Sequence, residues 1–514
     1  MEERNQQLEK ENEELKQLVL VQSQQIDYLK RQLFGSKSEK VDANQEELSL
    51  EDFADELGKP EAVDGTCEPE AAVEKKETKN NPRKQRSDRM PQNLPEVIEE
   101  IIPQEVSDAP EEWRRMDADE YKQLEKEPGY FYIRRTVRPK FVRIDQPFKA
   151  PVQSLAPKTL VKGSFMGDTL LSEILCNRYL YALPFYRQSQ MYSQRYGIDI
   201  SRSSMSDAAQ NVSSALEPIY EEMKKQLLAG SFIGCDETPI KYLDKENGGS
   251  KQGYYWVYRS TSGEVLFDWR TNREHSNLEA FLGMDYEGIL QSDGYEAYKS
   301  YCKKSNVSKR AACLAHIRRK FEQAKNYRSE IVSWFLKIIA RLYKVEKDLK
   351  AYQADPETRS RIRKNLSSPY IRMLEKAARH FKSKRAIHSQ TNFGKALTYA
   401  CNHLPDMYVY LDHGEVEIDN NLVENAIRPT AVGKKNHLFV GAAEAGGKSA
   451  LLYSLLLSAK ALGVPPQEYL LDVMKRLPQL MPDESDAIVA LTPARWAEAW
   501  HTSQKLLKAQ PTAA

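Results

Sequence analysis

Apolar positions recur every seven residues at the start of the chain. With Asn5, Asn12, Val19, Ile26 and Leu33 at a and Leu8, Leu15, Gln22 and Leu29 at d, residues 5–33 predict a coiled coil of about four heptads. Asn12 at an a position favours a two-stranded, in-register pairing at some cost in stability, so residues 1–35 are expected to make the protein at least a dimer. The alternative is a single amphipathic helix packed within its own chain. The pattern then lapses: residues 36–92 are acidic and polar, with a short basic run at Pro82-Arg83-Lys84-Gln85-Arg86, and read as a disordered linker. Strand-like runs follow at Val97 to Ile102 and Tyr130 to Ile144, the second alternating, which predicts a small β-rich module over 93–150. Its basic residues Arg134, Arg135, Arg138, Lys140 and Arg143 either touch nucleic acid or form a solvated sheet face.

A helical period governs 151–229. Within it, a helix ending near Tyr196-Gly197 and a second opening at Ser201-Arg202-Ser203-Ser204 have the form of a helix-turn-helix. Arg202, Ser203 and Ser204 would then offer phosphate donors at the start of a recognition helix; an ordinary αα-hairpin is the alternative. At Ser231 the period switches to that of strands. Phe232 to Asp236, Tyr254 to Tyr258 and Val265 to Trp269 precede a helix at Ser276 to Leu282, then strands at Gly288 to Ser292 and Lys309 to Leu314. This predicts a mixed α/β sheet over 230–316, a helix-rich insertion over 317–415, further core helices over 416–465 and a helical tail over 466–514.

The segment Asp419 to Pro429 separates into two helical faces. Asn421, Glu424, Asn425 and Arg428 fall at i, i+3, i+4 and i+7, while Val423, Ala426, Ile427 and Thr430 lie opposite. Asp419 and Asn420 are suited to cap its start, and Pro429 predicts an end or a kink. The polar face, followed by Lys434 and Lys435, suits a metal held beside phosphates; alone, it fits equally a solvated face with a Glu424–Arg428 pair.

Composition narrows the picture. A 514-residue chain that is 40% hydrophobic holds several domains and at least one sizeable core. The net charge of +1 means any nucleic-acid surface must come from local clustering. Six cysteines without a CxxC pair argue against a disulfide scaffold or zinc ribbon, and the charged N-terminus has no signal-peptide core. The longest apolar run, Ala450 to Val464, is interrupted by serines and Lys460 and reads as a buried helix. The expectation is a protein of the reducing cytoplasm, with no membrane partner.

Asp236 and Asp293 each stand where a buried strand emerges, and with Glu424 they would supply three hard oxygen ligands, the donor set of a two-magnesium phosphoryl-transfer site. Spacing alone leaves Glu237, Asp268, Asp285 and Asp419 in competition. The runs Asp236-Glu237-Thr238-Pro239, Gln291-Ser292-Asp293-Gly294-Tyr295, Cys313 to Phe321, Asp419 to Pro429 and Gly433-Lys434-Lys435-Asn436-His437-Leu438-Phe439 closely resemble transposases of the insertion sequence 66 family. Leu33 to Lys40, Tyr179 to Arg187, Gly197-Ile198 and Ser201-Arg202-Ser203 match as well, so the resemblance covers nearly the whole chain.

The resemblance implies a multidomain α+β protein: coiled coil, small module, helix-turn-helix-like region, and a retroviral-integrase-like RNase H core with a helical insertion. It maps the catalytic and metal-binding triad onto Asp236, Asp293 and Glu424, with two Mg²⁺ ions for which Mn²⁺ can substitute. It implies cleavage at element ends and strand transfer into target DNA, in a bacterial cytoplasm at the nucleoid. The partners would be terminal inverted repeats, target DNA, a second copy of the chain and small accessory proteins of the same element. Arg202, Ser203, Ser204, Asn421, Asn425, Arg428, Lys434 and Lys435 are the candidate DNA contacts. Cys313 with His316 matches a Cys-x-x-His pattern, and lacking two further ligands reads as structural. One departure stands out: the family's cysteine-rich zinc segment is expected after the linker, and residues 93–150 contain no cysteine. The rival readings are a structure-specific nuclease on the same fold and a dimeric, non-catalytic DNA-binding regulator.

Overall fold

The computed structural model describes residues 94–509, apart from 128, 146–147, 245–247, 308, 327–328, 385–386 and 481–484. The coiled coil over 5–33 and the linker to 92 lie outside the described residues. The described residues divide into two compact units, 311–419 and 94–310 with 420–509.

In the larger unit the first sheet is built on β2 (Trp113–Glu127) and β3 (Tyr130–Arg143), an antiparallel hairpin flanked by β1 (Glu96–Glu100), parallel to β3, and by β4 (Val152–Gln153). The sequence pattern missed β2, because WRRMDADEYKQLEKE is too charged to show alternation. Those charges are what pairs it: Asp119 lies directly opposite Arg138 and takes an ion pair from it at 3.3 Å, and a second from Lys140 at 3.0 Å. Arg135 reaches Glu120 with both Nε, at 3.0 Å, and Nη2, at 2.6 Å, and Arg143 reaches Glu112 and Asp145. Arg135, Arg138, Lys140 and Arg143 are thus ion-paired along the sheet.

Four helices follow, α1 (Asp168–Tyr179), α2 (Phe185–Tyr196), α3 (Arg202–Ala215) and α4 (Glu217–Leu228). The α2–α3 turn is built as its sequence suggests: Gly197 adopts a left-handed φ of 66° to end α2, and the Ser201 hydroxyl caps α3 by accepting from the Ser204 N–H at 3.1 Å.

The second sheet has the order β7-β6-β5-β8-β9, with β5 (Phe232–Leu243), β6 (Ser250–Ser260), β7 (Val265–Arg270), β8 (Ile289–Gln291) and β9 (Lys309–Ala311). β5, β6 and β7 run antiparallel as a meander, β8 returns parallel to β5, and α5 (Ser276–Leu282) and α6 (Glu296–Lys304) occupy the connections. The expected fifth strand is shorter than its apolar run, ending at Ala311. A further strand not anticipated, β10 (Phe439–Ala442), pairs in parallel with the far end of β5.

The 311–419 unit is helical, with α7 (Leu314–Glu322), α8 (Ser329–Ala351), α9 (Pro356–Ile362), α10 (Ser368–Lys382) and α11 (Asn392–His403) around a core in which Phe321 and Phe335 stack at 4.3 Å. Beyond it, α12 (Asn421–His437) overturns the expectation of a short helix ending at Pro429, because the helix continues past that residue. Proline removes the bond to the carbonyl four residues back, here that of exposed Asn425, where water can replace it. The long apolar helix α13 (Ala443–Ala461) then covers the edge strand β7. Ser458 Oγ accepts from Val265 N–H at 2.8 Å and donates to its carbonyl at 3.0 Å, and Ser454 Oγ accepts from Phe267 N–H at 2.8 Å. The serines that interrupt this apolar run thus satisfy strand groups that would otherwise be buried unpaired. α14 (Pro466–Arg476) and α15 (Pro493–Ala509) complete the chain.

Candidate active site

Parallel pairing brings the first two acids together. Gly234 is in register with Gln291, and Asp236 and Asp293 each lie two residues further along, so strand alternation sends both toward the same face. Each carboxylate is held by the backbone beside it: Asp236 Oδ1 accepts from Glu237 N–H and Asp293 Oδ1 from Tyr295 N–H, both at 2.8 Å.

α12 docks on that face at Gly234. A Cβ there would stand 3.0 Å from Val423 Cγ2 and 3.3 Å from Asn420 Oδ1, so glycine permits the close approach. Asn420 Nδ2 donates to the Cys235 carbonyl at 2.8 Å, pinning the helix start against the residue before Asp236. Asn420 occupies the cap position but makes no side-chain capping bond, in contrast to the expectation; its side chain is used to dock the helix instead. Asp419, the other expected cap, accepts from Tyr343 Oη at 2.8 Å within the helical unit.

Glu424 follows Val423 on α12. Asp236 feels the result: burial first, then the negative charges of Glu237, Asp293 and Glu424, push its carboxyl well above the ordinary carboxylate range. A hard divalent cation reverses this penalty, since it favours the ionised form of every acid around it. The donor set of Asp236, Asp293 and Glu424 fits such an ion.

Glu237, on the opposite face of β5, belongs to a different arrangement. Its buried carboxylate is bonded by Arg273 and by Tyr298 Oη, and the Arg273 guanidinium lies 3.9 Å over the ring of Tyr295, whose hydroxyl donates to the Arg273 carbonyl at 2.8 Å. Burial raises the Glu237 carboxyl despite these bonds. This brace behind the Asp293 loop escaped sequence reasoning, although strand alternation alone separates Glu237 from Asp236.

The other expected residues are dispersed. Arg202 and Ser203 are exposed at the start of α3 and Ser204 is half-buried. Ser201 Oγ shares hydrogen bonds with the hydroxyls of Ser203, at 2.8 Å, and Ser204, at 2.9 Å. On α12, Asn425, Arg428 and Lys435 are exposed and Asn421 is half-buried. Lys434 turns inward, donating to Thr238 Oγ1 at 3.0 Å and the Pro239 carbonyl at 2.7 Å, and burial lowers its ammonium below the ordinary lysine value. Its observed work is to tie α12 to β5. In the helical unit Cys313 is buried at the start of α7 and His316 is half-buried one turn on.

The class of protein to which this sheet and its acids belong comes from comparison with known proteins. Residues 163–448 match the family described as Transposase IS66 family, more than half of the chain, and the chain belongs to that family. Residues 22–98 match a second family, Transposase C of IS166 homeodomain. The chain is 28% identical over 497 residues to the uncharacterized protein y4jD of Sinorhizobium fredii (strain NBRC 101917 / NGR234), covering 92% of this chain and 94% of that one. It is likewise 28% identical over 418 residues to y4qI of the same organism, also uncharacterized, covering 78% of this chain and 75% of that one. Membership assigns the chain to transposition, a form of DNA recombination, and transposases of this kind generally use divalent metal ions. Among the described residues no helix is long and apolar enough to cross a membrane.

Proposed function

We propose that this chain cuts DNA at the ends of its insertion element and joins the freed 3′ hydroxyls to target DNA, with Asp236, Asp293 and Glu424 as metal ligands and catalytic acids. The observation that carries the reading is the convergence of one acid on β5, one just beyond β8 and one on a helix at the face where α12 meets β5, felt as repulsion at Asp236. Two Mg²⁺ ions, replaceable by Mn²⁺, would supply activation of the attacking hydroxyl and stabilisation of the leaving oxygen. The residues themselves position the anionic oxygens: β5 and β8 are paired in the sheet, and Gly234 and Asn420 dock the helix that bears Glu424. No covalent protein intermediate is needed.

The order β7-β6-β5-β8-β9 supports an RNase H-like core. We assign 230–316 and 416–465 to that core, 317–415 to its insertion, 151–229 to DNA reading and 466–514 to a tail. Exposed Asn425, Arg428 and Lys435, with Asn421, line the DNA approach, and the protein acts in the cytoplasm, on the nucleoid. Incubating protein, Mg²⁺ and element-end DNA with a plasmid target tests the reading. Joined products support it, cutting without joining makes the chain a nuclease, and binding alone makes it a regulator.

Deleting residues 1–35 should lower the mass seen by light scattering, because two element ends must be held together and the heptads are the means proposed; an unchanged mass removes the coiled coil from the account. Arg202→Ala should weaken end binding and reduce the slope of log K against log salt by about one, the signature of one lost phosphate contact. Unaltered affinity and slope would make α2–α3 an ordinary helical hairpin.

A further inference from the structure

The helical unit carries a cationic cluster that the three-acid site does not use. α7 and α11 pack side by side, with Asn392 Nδ2 donating to the Gln323 carbonyl at 3.1 Å. On their shared face Lys320 is half-buried, its ammonium 5.6 Å from the ring centre of Tyr399, and that ring lies 4.2 Å from the ring of His403. Lys395, one turn before Tyr399, is exposed. Burial, and then the positive charges of Arg319 and Lys395, lower the Lys320 ammonium below its ordinary value.

Nearby acids are committed elsewhere. Glu322 pairs with Arg318 at 3.1 Å and Lys325 at 2.7 Å, and Glu375 with Arg379 at 2.5 Å. α11 contains no Asp or Glu, and among the described residues neither Lys320 nor Lys395 has an ion pair. Cations gathered without a counter-charge cost stability in the free protein, a cost that a bound anion reverses. Lys395 stands in solvent, so a small anion held there would keep much of its hydration. A continuous polyanion meets an open cationic face without needing enclosure.

We propose that the α7–α11 face is a second DNA contact, in which the ammonium groups of Lys320 and Lys395 hold a phosphodiester backbone and the Tyr399 ring keeps Lys320 in place. This rests on the reading of the chain as a DNA-processing enzyme but not on the identity of its metal ligands.

The test uses the full chain and a fluorescent element-end duplex in EDTA, so that binding is read without metal or cleavage. Lys320→Gln and Lys395→Gln should each lower the slope of log K against log salt by about 0.9, and the double variant by about 1.8, with affinity for the double down about tenfold at moderate salt. Lys320→Arg should keep the wild-type slope. Thermal midpoints should hold or rise, since like-charge repulsion is relieved. An unchanged slope in the double variant overturns the proposal, as does an equal loss in Lys376→Gln, an exposed lysine on α10. Asp236→Asn should leave every slope as it was, so failure of the triad to matter for cleavage and failure of this face to bind DNA are separate outcomes.

Discussion

Asp236→Asn, Asp293→Asn and Glu424→Gln should each abolish end cleavage and strand transfer while the protein still folds and still binds end DNA. The replacements are nearly isosteric, and each substitutes a neutral amide for an anionic oxygen that a hard cation requires. Losing one preorganised electrostatic group costs an enzyme about 10²–10³ in rate, and a missing ligand also weakens ion binding, so activity should fall by at least that factor. Folding should survive, and Asp236→Asn should stabilise the metal-free protein, because burial and three neighbouring acids raise the Asp236 carboxyl. DNA binding should persist or tighten as repulsion between carboxylate and phosphate is relieved. Asp419→Asn is the informative control: its carboxylate accepts from Tyr343, an asparagine oxygen can accept the same bond, and activity should remain appreciable. If Glu424→Gln cuts normally and Asp419→Asn is dead, the third acid has been misplaced by five residues. Glu237→Gln is a poor control, since it weakens the bonds that Tyr298 and exposed Arg273 make to a buried carboxylate and should show a lowered thermal midpoint whatever it does to catalysis.

Strands of the second sheet were legible where they are buried: Phe232 to Cys235 and Ile289 to Leu290 are continuous apolar or small runs, with Asp236 and Asp293 following them. The contribution of α12 was legible too, since Val423, Ile427 and Thr430 are buried and Asn425 and Arg428 exposed, as the helical spacing requires. Its length was not, because the proline rule describes a lost hydrogen bond and says nothing of whether water can replace it. β2 was hidden by its own charges, whose partners sit on β3 and are not encoded within the strand. The α13 serines were visible, but that they bind an edge strand about 190 residues earlier depends on packing that no local pattern carries. Lys434 illustrates the same limit: a basic residue after a polar helix face suggests phosphate, and only the position of β5 shows where its ammonium is spent.

Arg363→Met should be the most destabilising single change in the helical unit. Arg363 is fully buried, in a π-helical turn at Arg363–Ser367, and its guanidinium forms a double bridge to Glu346: Nε to Oε1 and Nη2 to Oε2, both 2.8 Å. Its Nη1 is aimed at the carbonyls of Tyr410 and Val416, at 3.0 Å, and His413, at 3.1 Å, while the guanidinium carbon sits 4.1 Å over the Tyr410 ring. One side chain therefore replaces the solvent of a whole loop and balances a buried carboxylate. Removing it leaves Glu346 uncompensated, a loss of about 3–5 kcal/mol for a broken buried pair. Removing both charges with Glu346→Leu should recover part of this loss, but not all, because the loop carbonyls stay unpaired. The same pair sets an acid limit. Burial alone would raise the Glu346 carboxyl, yet the hydrogen bonds and charge of Arg363 hold it below its ordinary 4.5. A carboxyl depressed in the folded state contributes stability that is present above the unfolded value and lost as pH falls through the folded one, so the unit should weaken below about pH 4.5. Hydrogen exchange resolved over 311–419 measures both effects without requiring the chain to unfold as one piece. Unchanged protection in Arg363→Met would mean that the guanidinium merely occupies its cavity, and that Glu346 finds enough compensation from Arg359, 3.3 Å away, and from the hydroxyl of Tyr410.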